Sequence, residues 1–281
     1  MKIRALALAL VLVVGCDDKG PEKAPTNTTA EKAEPGPTAP DKTLSMAELT
    51  AAADQVALVP SPAEMQRSLS HAGVGKTLAS MVQDRDISMK VENKDQLAVR
   101  AGVVLADLVL TVKESPKERT LARLTTLGVA LEKLGAGSDV QAVITDLKKE
   151  IDNGAIPVDD LVKEFDELSQ VMVPELEYEA GEWVVPLIQA GSWLEGAHLV
   201  SGAVVEAGKF DAADNLLRQP EVVEYFIKYV DREGADKAPD EVVAKLRETL
   251  TTLKTVASKP SLGEADVKTI HDATGAVLSL L

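Results

Sequence analysis

The chain has 281 residues, with 45 Asp and Glu against 30 Lys and Arg, a net charge of −15. That balance repels phosphate backbones and argues against nucleic acid as a partner. One cysteine leaves no disulfide framework, so a folded domain must hold by core packing alone, for which 45% apolar residues suffice.

In chain order, Met1-Lys2-Ile3-Arg4 is a short basic start followed by an apolar run from Ala5 to Val14, too short to span a bilayer. Residues 1–15 therefore read as a signal peptide. The run closes in Leu12-Val13-Val14-Gly15-Cys16, which resembles the lipobox of bacterial lipoproteins. That resemblance implies cleavage before Cys16, diacylglycerol on its thiol and acylation of the new amino terminus with palmitate-type chains. Several acyl chains exceed the one-chain threshold for stable anchoring, so the expected location is the cell envelope, with the domain on the periplasmic or outer side of a membrane. Loss of Lys2 and Arg4 takes the net charge from −15 to −17, so the anchor and not a basic face must supply membrane attachment.

Residues 16–44 comprise that cysteine and a polar linker with five prolines (21, 25, 35, 37 and 40) and hardly any large apolar side chain. Such a segment buries too little surface to offset its ordering entropy and reads as a tether. From residue 45 to 281 the signals are helical. Ser61-Pro-Ala-Glu64 and Ser115-Pro-Lys-Glu118 combine a capping box with proline at the first helical position, and Asn93-Lys-Asp-Gln96 and Ser261-Leu-Gly-Glu264 repeat the logic. Gly135, Gly154, Gly208 and Gly234 mark stops. Helices are predicted near 45–58, 62–71, 75–84, 94–113, 116–134, 139–152, 158–172, 174–190, 192–207, 211–218, 220–232, 239–257 and 264–280. No stretch reads as a strand, and the predicted fold is a single all-α, multi-helix bundle-like domain.

The stretch Pro174 to Ala207 organises the domain: it holds both tryptophans, and between Val184 and Val205 its one formal charge is Glu195. Other helices must wrap it, and the spacing predicts a central helical hairpin there. Four acids, Glu175, Glu177, Glu179 and Glu182, would crowd the start of its first helix, where the macrodipole favours them. Pro186 should bend that helix. Ala101-Gly102-Val-Val-Leu105 echoes Ala190-Gly191-Ser-Trp-Leu194, with small residues where two helices could approach closely. Arg100-Ala-Gly-Val-Val-Leu-Ala-Asp107-Leu, the polar helix ending in Leu134-Gly135, and Gly191-Ser-Trp-Leu-Glu195-Gly196 before Leu199 together resemble a group of uncharacterised all-helical bacterial lipoproteins of similar length. The resemblance spans roughly residues 95–205; it implies a helical fold and no activity.

Three residues stand out chemically. Asp107 is the one charge between Arg100 and Lys113 on an apolar helix, so it must be paired, hydrogen-bonded or neutral. Glu195 and His198 lie three apart on one helical face. Glu-x-x-His is half of the di-iron pattern of four-helix bundles, but neither His71 nor His271 has Glu three residues before it, so no metal is expected. Gly73-Val-Gly75-Lys76-Thr77 lacks the first half of a phosphate loop and a preceding strand. No cofactor is expected. The leading expectation is a non-enzymatic, membrane-anchored binding module for a protein or small molecule, in which buried polar residues fix helix packing. The alternative is an enzyme or metal protein that uses Asp107, Glu195 and His198 in one internal pocket.

Overall fold

Ser61 shows how this chain starts a helix. Its hydroxyl accepts the Glu64 N–H at 3.2 Å while the Glu64 carboxylate accepts the Ser61 N–H at 2.8 Å, so two orphan amides are satisfied reciprocally. The helix so begun, α1 (Pro62–Ala72), stops at Gly73, whose φ of 64° is left-handed. In this computed structural model residues 59–82, 87–237 and 240–281 are described. Cys16, the linker and the helix expected at 45–58 lie outside them.

Beyond α1 come α2 (Leu78–Met81), α3 (Lys94–Thr111), α4 (Lys117–Leu134), α5 (Ser138–Asp152), α6 (Val158–Ala180) and α7 (Val184–Ala207). A single 3-10 turn (Phe210–Ala212) leads to α8 (Ala213–Leu217), α9 (Pro220–Lys237), α10 (Asp240–Ala257) and α11 (Glu264–Leu278). No strand occurs among the described residues, and the valine-rich run at 103–112 lies on α3 but for its last residue. The domain is all-α, as the capping signals indicated.

Several boundaries differ from expectation for physical reasons. The proposed hairpin turns at Gly181–Trp183, not near residue 191: α6 continues through Pro174 and α7 runs unbroken through Gly191. Gly181, at φ 102°, makes the reversal, and the Trp183 indole N–H donates to the Ala180 carbonyl at 2.7 Å across it. Pro186 therefore sits in the first turn of α7, where its missing N–H has no helical partner to lose, and no bend is required. Glu175, Glu177 and Glu179 end a helix instead of starting one. The Glu175 carboxylate lies against Gly137, the residue that caps α5, so it meets a helix start from outside.

Ser115 does not cap α4. Its hydroxyl donates to Thr111 Oγ1 at 3.0 Å and accepts from Arg123 at 3.3 Å, and Pro116 takes the cap position. At α11 the box is shifted: Asp266 accepts the Gly263 N–H at 3.1 Å, and Ser261 stands outside. Gly234 continues α9 and is not a stop; it packs where a side chain would meet Val243 of α10. Tyr178 is exposed, an exception among aromatic residues otherwise drawn toward the core.

Two apolar clusters make the core. The first is built by α3–α6 around Leu124, Leu131, Phe165 and Leu176; the second by α1, α2 and α7–α11 around Leu69, Trp193, Val204 and Phe226. Neither is closed without the other's central helix. Ala106 and Leu110 of α3 belong to the second cluster, while Val184, Val185 and Ile188 of α7 belong to the first.

The junction is a contact between bare backbones. A Cβ on Gly102 would stand 2.0 Å from the Ile188 carbonyl oxygen, and one on Gly191 would stand 2.0 Å from that of Val99. Leu110 lies beside Gly196 farther along. This register is that of two helices running the same way about a local two-fold, and it explains the echo between the two Ala-Gly-x-x-Leu segments.

Candidate functional site

Helix α7 positions two of the three singled-out residues. Glu195 is 1% exposed and Asp107, on α3, is 3% exposed. One turn beyond Asp107, Thr111 donates to the Asp107 main-chain oxygen at 2.6 Å and accepts from Arg123 of α4 at 2.7 Å. Arg123 also reaches the Val82 carbonyl, and Arg119 the Ala79 carbonyl, so guanidinium groups join α4 to α2 beside this part of α3. Half-buried cations on a neighbouring helix are an ordinary way for a buried acid to be accommodated.

His198 turns toward α11, where it stacks on His271 with ring centroids 4.1 Å apart and planes within 9°. His198 Nδ1 lies 3.1 Å from the His271 carbonyl oxygen, and His271 Nδ1 lies 3.1 Å from the His198 carbonyl oxygen. A carbonyl only accepts, so both rings carry a proton on Nδ1. Each helix repeats the same short pattern, His198-Leu-Val-Ser201-Gly202 and His271-Asp-Ala-Thr274-Gly275. Ser201 and Thr274 donate to carbonyls four residues back, at 2.7 and 2.8 Å, and each turns its oxygen toward the opposite ring. Each glycine leaves room for that ring: a Cβ on Gly275 would meet His198 at 3.0 Å, and one on Gly202 would meet His271 at 3.1 Å. This is a two-fold clasp between antiparallel helices. The pattern was visible as a repeat of His-x-x-Ser/Thr-Gly; a search for Glu-x-x-His passes over it.

A large open space lies elsewhere among the described residues. A cavity of about 450 Å³ sits among the start of α3 and parts of α7, α9, α10 and α11. Its walls are apolar, with Val99, Leu194, Phe226, Val243, Leu250 and Val277 among them. Asn93, Asp95, Gln96, Tyr229 and Glu233 are the polar residues along its border. None of Asp107, Glu195 and His198 lines it.

Tyr229 is the distinctive group there. Its hydroxyl oxygen is enclosed and makes no hydrogen bond to the protein among the described residues. Burial, reinforced by the negative charges of Glu233 and Asp95, pushes the phenol up to about 12, so it keeps its proton throughout the physiological range. Arg232 stands 5.7 Å from the ring centroid and is paired with Glu233 at 2.9 Å. Arg100, at the next turn of α3 from Gln96, donates to the Leu281 and Ser88 carbonyls and holds the final residues against the cavity wall. Sequence reading missed this site because its lining comes from five helices, and no local pattern announces a space between them.

Among the described residues no group of three or more His, Cys, Asp and Glu is placed to hold a metal ion, and no helix is long and apolar enough to cross a membrane. Compared with protein-family models, with curated proteins and with solved structures, the chain matches none of them.

Proposed function

We propose that this protein is a lipid-anchored binding module of the bacterial cell envelope, which holds a small apolar molecule in the cavity between α3, α7, α9, α10 and α11. The lipobox-like Leu12-Val-Val-Gly-Cys16 supports the anchor, and the proline-rich linker gives the domain reach from the membrane. The observation that carries the binding role is the cavity itself. Its volume of about 450 Å³ falls in the range of small-molecule sites, roughly 300–1,000 Å³, and its walls are apolar with few polar groups, as such sites are. Asp107, Glu195 and His198 serve helix packing in this reading, and no observation favours an enzymatic or metal-binding role for them over that one.

The test uses residues 16–281 carrying Cys16→Ser, made without lipid so that no detergent is needed. The uncharged dye N-phenyl-1-naphthylamine should bind saturably, one per chain, with a rise in its fluorescence. Leu246→Trp, which fills the cavity from α10, should abolish that rise while the far-ultraviolet spectrum stays helical. A wild-type chain that binds no dye, or a Leu246→Trp chain that binds it equally well, overturns the reading.

A further inference from the structure

A cavity walled by helices admits a ligand only where some part of its border yields. Most of this border is tied at several points. The Val99 carbonyl lies against Gly191 of α7, main chain on main chain, and Trp193 of α7 packs on Phe226 of α9 with ring centroids 5.4 Å apart. Gly234 of α9 packs on Val243 of α10, Asp231 of α9 pairs with Arg247 of α10 at 2.6 Å, and the histidine clasp joins α11 to α7. Moving any of these helices breaks several contacts at once.

Residues 279–281, which follow α11, are held differently. The N–H groups of Ser279, Leu280 and Leu281 donate to the carbonyls of Gly275, Val277 and Leu278 at 3.0, 3.0 and 3.2 Å, so they only continue the turn of their own helix. Among the described residues, the hydrogen bond that ties them to another helix comes from Arg100 of α3, whose guanidinium donates to the Leu281 carbonyl and, through its other terminal nitrogen, to that of Ser88. Leu280 and Leu281 both line the cavity, yet Leu280 is 53% exposed, so it borders the cavity and solvent together. Asn93, Gln96 and Val99, at the start of α3, line the same cavity, and Arg100 follows directly without lining it. Its bond therefore draws two leucines toward α3 at the rim.

Granted the binding role above, on which this rests, we infer that residues 279–281 are a latch over the mouth of the cavity, with Arg100 as its catch. When the guanidinium lets go of the Leu281 carbonyl, Leu280 and Leu281 swing outward without disturbing α3 or α7, a ligand passes, and the leucines close behind it. A short segment with one tie across the fold opens locally at far lower cost than two packed helices part. Closing covers leucine surface and re-forms a charge-assisted hydrogen bond, so the shut state is favoured. Arg100 is thus a positioning residue: it sets how fast the cavity exchanges its contents, not how tightly it holds them.

The experiment measures entry and exit of N-phenyl-1-naphthylamine by stopped-flow fluorescence, on the Cys16→Ser chain and on the same chain with Arg100→Ala. Both rates should rise about tenfold in the variant, the share of one charge-assisted hydrogen bond, while their ratio, the Kd, stays within about twofold. Loosened packing alone would speed exit, leave entry unchanged and weaken binding; a gate acts on both directions. If Arg100→Ala loses its helical spectrum, Arg100→Lys takes its place, since it keeps the charge but cannot hold both carbonyls, and both rates should rise by a smaller factor. Leu280→Ala, at a half-exposed position, shortens the stop and should speed entry by about threefold or more. Entry and exit rates unchanged by these substitutions overturn the latch although the cavity still binds. A wild-type chain that takes up no dye fails the binding role, and the latch falls with it.

Discussion

At the residue scale the least replaceable positions are two glycines. Gly102 and Gly191 each bring a bare Cα to a carbonyl of the other helix, and an added methyl group would meet main chain that no rotamer change can move. Gly102→Ala and Gly191→Ala should each lower unfolding stability by about 3 kcal/mol, at the upper end of overpacking costs, read from urea midpoints. Equal stability in either variant would mean that α3 and α7 are farther apart than described. Tyr229→Phe should act in the opposite direction. It removes an unpaired buried hydroxyl, so the ligand-free chain should be as stable as wild type or more so, by up to about 1 kcal/mol. The sign of its pH effect follows from the phenol's raised value. An unfolded tyrosine loses its proton from about pH 10, whereas the folded one holds it to about 12. The folded state then binds more protons than the unfolded one between these values, so this contribution is complete below pH 10 and declines as pH rises. Melting temperatures between pH 10 and 11 should accordingly fall less steeply in Tyr229→Phe than in wild type.

At the element scale the caps separate what neighbouring residues can decide from what distant ones decide. Ser61→Ala should cost about 1 kcal/mol, because both halves of its box are formed with Glu64. Ser115→Ala should not destabilise α4 through its cap, since that hydroxyl is turned to Thr111 and Arg123. A thermal scan of the two variants distinguishes these cases. Starts with a partner three residues on, at Ser61 and Asn93, were legible in the sequence. At α4 the Ser115 hydroxyl is taken by Arg123 from further along the chain, and at α11 Asp266 caps the helix from Gly263, two residues past Ser261. Pro174 looked like a boundary and was not, because tertiary packing can carry a helix past a residue of poor propensity, whereas Gly181 had the conformation the turn needed. The clasp between α7 and α11 joins segments whose contact no local rule could foresee. Its strength should appear as a coupling of about 1 kcal/mol in a double-mutant cycle of His198→Leu and His271→Leu, and strictly additive losses would show that the rings stack without mutual support.

At the scale of the whole molecule, two apolar clusters share both central helices, so neither set of helices can lose its packing while the other keeps its own. Unfolding should be one transition. Trp183 packs on the first cluster and Trp193 belongs to the second, so Trp183→Phe and Trp193→Phe each leave one reporter. The two should report the same urea midpoint once corrected for the stability of each variant, and separate midpoints would mean two cooperative units. The proposed anchor is tested apart from the fold: wild type should incorporate labelled palmitate and Cys16→Ala should not. The paired contacts of α3 with α7 and of α7 with α11 also bear on ancestry. Side chains around a cavity can drift as its contents change, but a residue without a side chain, pressed on a neighbour's backbone, has no substitute to drift to. Kinship to this chain should therefore be sought in two Ala-Gly-x-x-Leu segments and two His-x-x-Ser/Thr-Gly segments at these spacings, long after overall identity has faded.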